Sequence, residues 1–349
     1  VNIFKDLAGV VKDKLKASKD GTTVGVASEP CLSEVVGRIS TGCTPLDCIL
    51  GGGIPRGRIT EILGPPHEGK STLLEHIIKS NQDANGICML LLSEACMDKA
   101  RMKRIGVDLE KLFLCEVGSL EDGFDIIFHC LKKIEEKFDE YKDAPVLVGW
   151  DTISAAPNRH ELEGDNYGGG LGYTPRIIRA GLRKIEMQVA RTRTALVFVG
   201  QTIADIGSYY PMEDSPGGGG IKFNSSVRMY VKKKEILYLP DKTSYGLLSK
   251  VFTRKNKTAP PRREALVPIF DYDGINNDLA MYYYLKESHF EAKGRYWHVL
   301  GPEGKRTQFS WNDFYKAMEE TPGLRDFLKS ECLRVYQEKL PGSMIDKEE

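Results

Sequence analysis

Eight consecutive residues, Gly64, Pro65, Pro66, His67, Glu68, Gly69, Lys70 and Ser71, spell GxxxxGK[ST], and with Thr72 directly after them they constrain this chain more than any other feature. The run follows an apolar, strand-like segment, RITEILG (58–64). It precedes STLLEHIIKS, whose apolar positions 73, 74, 77 and 78 recur at helical spacing. A strand, a glycine-bearing loop and a helix in that order make an anion site. Backbone N–H groups turn inward, and the helix N-terminus favours negative charge. Lys70 is expected to neutralise the β- and γ-phosphates of ATP, and the Ser71 hydroxyl to ligate Mg²⁺. A glycine turn matching by chance would lack both flanks.

The remainder of the chain supplies the sheet such a loop requires. ICMLLLSE (87–94), APVLVGWD (144–151) and TALVFVGQ (194–201) are apolar runs of strand length, suited to parallel strands covered on both faces. Between them, residues 121–138 place Phe124, Ile127, Phe128, Leu131 and Ile134 on one helical face. Residues 175–190 do so with Ile178, Leu182, Ile185 and Val189. The class is therefore α/β with a mainly parallel sheet. VRMYVKKKEILYL, GLLSKVFTRK and EALVPIFDYD, within 226–273, read as further, antiparallel strands. Residues 3–17 predict a short amphipathic helix, followed by the β-prone TTVGVA; this unit cannot bury both faces alone and should pack on something else. A small α+β tail begins near 286 and ends in helices 310–320 and 322–338. The expected organisation is an N-terminal packing unit at 1–37, a core at 38–285 and a tail at 286–349.

Charge and composition narrow the function only slightly. Lys+Arg and Asp+Glu both number 49, so any basic surface must be local. No run approaches the roughly 18 apolar residues of a membrane span, and no signal-peptide pattern opens the sequence, so a cytoplasmic protein is expected. The eight cysteines are scattered without CxxC pairs and read as reduced thiols.

Three more strand ends carry polar groups. Asp151 closes PVLVGWD and suits a Mg²⁺-orienting carboxylate, although a strand-end Asp also serves simply to cap a turn. Glu94 suits a group that orients attacking water; a solvated strand end is the plainer reading. Gln201 suits a sensor of the γ-phosphate, or an ordinary hydrogen-bonding loop residue. Ligands of open α/β sheets sit at this edge.

With these residues in order, the chain resembles the RecA family of recombinases, including the phage UvsX type, from about 38 to about 338. ISTGCTPLDCILGGGIPRGRITEILGPPHEGKST (39–72) is similar to the family's entry segment and Walker A. SEACMDKARMKRIGVD (93–108), VLVGWDTISA (146–155), VFVGQT (197–202), GGGGIKFNSSVRMYV (217–231) and KNKTAP (255–260) resemble later family segments. The resemblance implies a catalytic Glu at Glu94, a switch Gln at Gln201 and an adenine contact at Asp98. Arg101 stands where the family has a stacking aromatic. Two long Gly-rich segments, 157–172 and 202–220, correspond to the DNA loops L1 and L2. Their candidate contacts are Leu171 and Gly172 in L1, and Tyr209, Tyr210, Gly217 and Gly218 in L2, with Lys222 just beyond. Arg176, Arg179 and Arg183 form a stripe, of which Arg176 and Arg183 match strand-contacting positions. Ile203 and Asp205 replace basic residues early in L2. Lys255 and Lys257 match a pair that reaches the γ-phosphate of the adjacent protomer.

The implied activity is a DNA-dependent ATPase that forms a helical filament on single-stranded DNA and exchanges strands with a homologous duplex. A loading mediator and a single-strand-binding protein are the implied partners, and a bacterial nucleoid or phage-infected cell the implied setting. A RecA-like ring motor or helicase, and a nucleotide-gated DNA-binding scaffold with little hydrolysis, are the alternatives.

Overall fold

The strand that leads into the phosphate loop has parallel neighbours on both sides. The structure, a computed structural model, describes residues 31–32, 34–94, 97–163, 172–202, 219–239, 241–294 and 296–339. Leu171, Ile203, Asp205, Tyr209, Tyr210, Gly217 and Gly218 lie outside the described residues, as does the helix expected at 3–17 with its TTVGVA segment.

The strands, in chain order, begin with β1 (Arg38–Ile39), β2 (Ile54–Pro55), β3 (Arg58–Gly64), β4 (Ile87–Leu92), β5 (Leu112–Glu116), β6 (Val146–Asp151) and β7 (Ala195–Gln201). They continue with β8 (Val227–Tyr238), β9 (Ser244–Asn256), β10 (Glu264–Phe270), β11 (Gly274–Ile275), β12 (Phe290–Lys293), β13 (Tyr296–Leu300) and β14 (Arg306–Ser310). Among the described residues, nine strands form one sheet in the order β11-β10-β9-β8-β3-β7-β6-β4-β5. Pairing is parallel from β8 through β5 and antiparallel from β8 through β11. The β3–β7 register sets Gly64 opposite Gln201, and the β4–β6 register sets Leu92 opposite Asp151. The polar residues at the strand ends therefore share one edge.

Both faces of the sheet are covered, as the continuous apolar runs require. The helix Lys70–Asp83 lays Leu73, Leu74, Ile77 and Ile78 on one face, against Ile62, Leu90, Leu147 and Val197. The helices Leu120–Glu136 and Tyr173–Arg191 cover the other. There Phe124 packs edge-on to Trp150 with ring centroids 5.3 Å apart, and Phe198 lies 6.0 Å from Trp150. Burying each such ring stabilises the fold by about 1.5–3 kcal/mol. Gly181 permits the two helices to approach, since a Cβ there would stand 2.3 Å from the Phe124 ring. The first of these helices starts at Leu120 because the Ser119 side chain accepts the Asp122 N–H at 3.1 Å.

Apolar runs and helical stripes pass over two elements. β5 is a partly exposed edge strand with Phe113 turned to solvent, so no continuous apolar run marks it. The helix Asn277–His289 buries Leu279, Ala280, Met281, Tyr282, Leu285 and His289 around its circumference, leaving no single apolar stripe. This helix runs through position 286. Its core joins Cys48 to Phe309, Phe314, Leu328 and Cys332, beside the antiparallel sheet β12-β13-β14. The helices Phe314–Glu320 and Leu324–Glu338 close the C-terminal part. No described helix is long and apolar enough to cross a membrane.

Candidate functional site

The loop from Pro65 to Gly69 is fastened by the antiparallel extension of the sheet. Ser249 Oγ on β9 donates to the Glu68 carbonyl at 2.8 Å, and the Lys233 N–H on β8 donates to the Glu68 carboxylate. A Cβ on Gly64 would lie 2.2 Å from the Val231 carbonyl oxygen, so backbone passes where any side chain would stand. Gly69 has φ +96° and opens the helix Lys70–Asp83. Its N–H groups thus face the loop that the anion would occupy.

Lys70 is 6% exposed, and its ammonium donates to the Pro65 carbonyl of the same loop. Burial holds its pKa below the usual lysine value, opposed by the charges of Asp151, Glu68 and Glu94. Asp151, at the end of β6, is pushed the other way. Burial raises its carboxyl above the ordinary range, the Ser71 hydroxyl pulls it down, the Glu94 charge raises it, and the Lys70 charge lowers it. The peptide bond Asp151–Thr152 is cis, and Thr152 Oγ1 donates to the Val199 carbonyl at 2.9 Å.

Glu94 follows β4 and is exposed. Gln201 Nε2 donates to Glu94 Oε1 at 3.4 Å, and the Gln201 N–H donates to Ser154 Oγ at 3.3 Å. Lys70, Asp151, Glu94 and Gln201 line one cavity of about 660 Å³, together with Pro66, His67, Gly69, Ser71, Thr72, Asp98 and Arg101. Asp98 caps the helix Lys99–Ile105, its carboxylate accepting the Arg101 N–H at 2.9 Å. Ser71 and Asp151 present hard oxygen donors side by side, the donor set that suits Mg²⁺.

Sequence reasoning missed Glu75. It lines the same cavity and pairs with Arg101 at 2.7 Å. The available signal was an acidic residue directly after the apolar pair 73–74 of the P-loop helix.

The helix Tyr173–Arg191 is N-capped by Gly172, with φ +91°, the last residue of the segment 157–172. Arg176, Arg179 and Arg183 stand exposed on the side away from Ile178, Leu182 and Ile185. None has an ion pair with a described residue, whereas Lys184 is paired with Asp125 at 2.7 Å. Lys222 and Phe223 lie in the last turn of the short helix Gly219–Asn224, and Phe223 is exposed. Lys255 Nζ donates to the carbonyls of both, at 2.8 and 3.0 Å. Burial and the neighbouring charges of Lys257 and Arg228 lower its pKa. Lys257 is exposed at the end of β9. Neither lysine lines the cavity of its own chain.

Comparison with known proteins adds a family to this geometry. The RecA N-terminal domain family matches residues 12–276. Protein RecA of Rubrobacter xylanophilus is 33% identical over 307 residues, covering 87% of this chain and 85% of that protein. Protein RecA of Trichodesmium erythraeum is 32% identical over 274 residues, covering 78% and 73%. Protein RecA of Nitratidesulfovibrio vulgaris is 33% identical over 299 residues, covering 84% and 80%. A phosphate loop, a strand-end carboxylate and a strand-end glutamine on one parallel edge, matched along most of the chain, place this protein in the RecA family.

Proposed function

We propose that this RecA-family recombinase carries out ATP hydrolysis with the residues of the sheet edge and transmits the nucleotide state to DNA through the segments that follow them. The family activity is DNA-dependent hydrolysis of ATP with Mg²⁺, assembly into a filament on single-stranded DNA, and strand exchange with a homologous duplex. The observation that carries the residue-level reading is the convergence of Lys70, Ser71, Asp151, Glu94 and Gln201 on one cavity, while Lys255 and Lys257 stay outside it.

In this reading Lys70 and the loop N–H groups bind the phosphates, and Ser71 with Asp151 holds the metal. Mg²⁺, when bound, neutralises charge on the β- and γ-phosphates. Glu94 orients the attacking water and accepts its proton. Gln201 senses the γ-phosphate at the root of L2. Lys255 and Lys257 complete the site of the next protomer, in the manner of an arginine finger supplied in trans. Head-to-tail contacts of this kind generate an open helical filament when the rotation does not close. Residues 1–37 would pack on the neighbour, and Arg176, Arg183, Lys222 and the loop residues Leu171, Gly172, Tyr209, Tyr210, Gly217 and Gly218 would hold the strand. The organisation into residues 1–37, 38–285 and 286–349, a loading mediator, a single-strand-binding partner and a cytoplasmic setting belong to the same proposal.

ATP turnover measured with and without single-stranded DNA, alongside electron microscopy with a non-hydrolysable ATP analogue, tests it. DNA-stimulated turnover and helical filaments are expected. Closed rings would favour the motor reading, and DNA binding without turnover the scaffold reading.

A further inference from the structure

Glu75 stands in the second turn of the P-loop helix, outside the GxxxxGK[ST] run, and is 8% exposed. A carboxylate that deeply buried requires a partner, and Arg101 Nη2 donates to its Oε1 at 2.7 Å. Guanidinium and carboxylate commonly meet fork to fork through two parallel hydrogen bonds. Here only one has formed. Arg101 Nε and Glu75 Oε2 are each buried without a hydrogen-bond partner, and both residues line the nucleotide cavity.

The backbone of Arg101 is fixed as well, because its N–H donates to the Asp98 carboxylate at the helix start. With the main chain tied to Asp98 and one edge of the guanidinium tied to Glu75, what remains to be offered is the flat face. A planar, delocalised cation held by its edge stacks on an aromatic ring. A nucleobase is such a ring.

We infer that Glu75 is a positioning residue that holds the Arg101 guanidinium as a flat platform for the nucleobase, the second hydrogen bond of the fork forming as the base seats. The inference rests on the reading of this cavity as the nucleotide site. Stacking engages the face of the base and not its hydrogen-bonding edge. The platform therefore registers that a base is present, and discrimination between bases falls to edge contacts such as Asp98. Burial holds the Glu75 carboxyl above its ordinary value, with the Arg101 charge and hydrogen bond pulling it down and the charges of Asp151 and Asp98 adding to the rise.

The test is the dissociation constant for MgATP and for magnesium tripolyphosphate, which shares the phosphates and lacks base and sugar. Wild type, Glu75→Gln, Arg101→Ala, the double variant and Arg101→Tyr with and without Glu75→Gln are compared. Glu75→Gln is expected to weaken MgATP by about 5- to 10-fold and to leave tripolyphosphate within about 2-fold. The double variant should bind no more weakly than Arg101→Ala alone. In the Arg101→Tyr background, where a ring stacks without a carboxylate to hold it, Glu75→Gln should have no effect. Equal weakening of both ligands by Glu75→Gln would make Glu75 a structural support of the P-loop helix and overturn the inference. So would an undiminished effect of Glu75→Gln in the Arg101→Ala or Arg101→Tyr background. If wild type binds neither ligand, the nucleotide-site reading itself fails, a result distinct from either of these.

Discussion

The Gln201 carboxamide donates to Glu94 Oε1 at 3.4 Å across the end of β6, the strand that carries Asp151 between them. β4 and β7 are not neighbours, so this contact spans the proposed metal-holding position and joins the proposed water-orienting carboxylate to the root of the proposed L2 segment. Glu94→Gln removes the proposed proton acceptor and keeps the shape. DNA-stimulated turnover should fall by about 100-fold or more, because positioned acid–base groups contribute on that order. ATP affinity and DNA binding should stay near the parental values, as steady-state hydrolysis and equilibrium binding on one preparation would show. Parental turnover would remove Glu94 from the chemistry.

His76 gives the fold a dependence on pH. Its Nε2 accepts the Ile275 N–H at 2.8 Å, a role open only to the neutral ring. Burial, then the charges of Lys79 and Arg101, lower its pKa from 6.5 to about 4. The unfolded chain therefore binds more protons than the folded one between these values. The contribution is complete above pH 6.5 and is lost as pH falls through about 4. Over that window it amounts to about 3 kcal/mol. Denaturant unfolding from pH 7 to pH 4 should show His76→Gln less stable than wild type at pH 7. The gap should close toward pH 4. A gap that does not change with pH would contradict this.

The parallel core and its phosphate loop were legible because their physics is local. Continuous apolar runs mark doubly covered strands, and Gly69 and Lys70 mark the turn into a helix N-terminus. Three strand-end residues, Asp151, Glu94 and Gln201, were legible once those strands were aligned, since parallel strands deliver their C-terminal ends to one edge. What escaped depends on long-range partners. Glu75 reads as one more helical glutamate until Arg101 arrives 26 positions later. The capping of the Gly219–Asn224 helix by Lys255 is a contact across more than 30 residues with no pattern in the chain. β5 and the helix Asn277–His289 lack the run or the stripe by which such elements are found.

Arg176 and Arg183 are exposed and have no ion pair with a described residue. If both contact phosphates, replacing both with Ala should weaken single-stranded DNA binding. It should also reduce the slope of log affinity against log salt by about 1.4, from roughly 0.7 per phosphate neutralised. Titrations at several salt concentrations give the slope directly. An unaltered slope would return the stripe to an ordinary solvated helix face.

In the proposed shared site, one chain's nucleotide is completed by the next chain's lysines. Lys255→Ala/Lys257→Ala should bind ATP through its own Lys70, Ser71 and Asp151, yet lose filament growth and DNA-stimulated hydrolysis. Lys70→Ala should bind no ATP but still carry both trans lysines. The decisive measurement is ATP turnover on single-stranded DNA by an equimolar mixture of these two variants, each inactive alone. Shared sites predict that the mixture recovers turnover, because a Lys70→Ala protomer completes the site of its double-variant neighbour. No recovery in the mixture, or normal turnover by Lys255→Ala/Lys257→Ala on its own, would contradict the shared site.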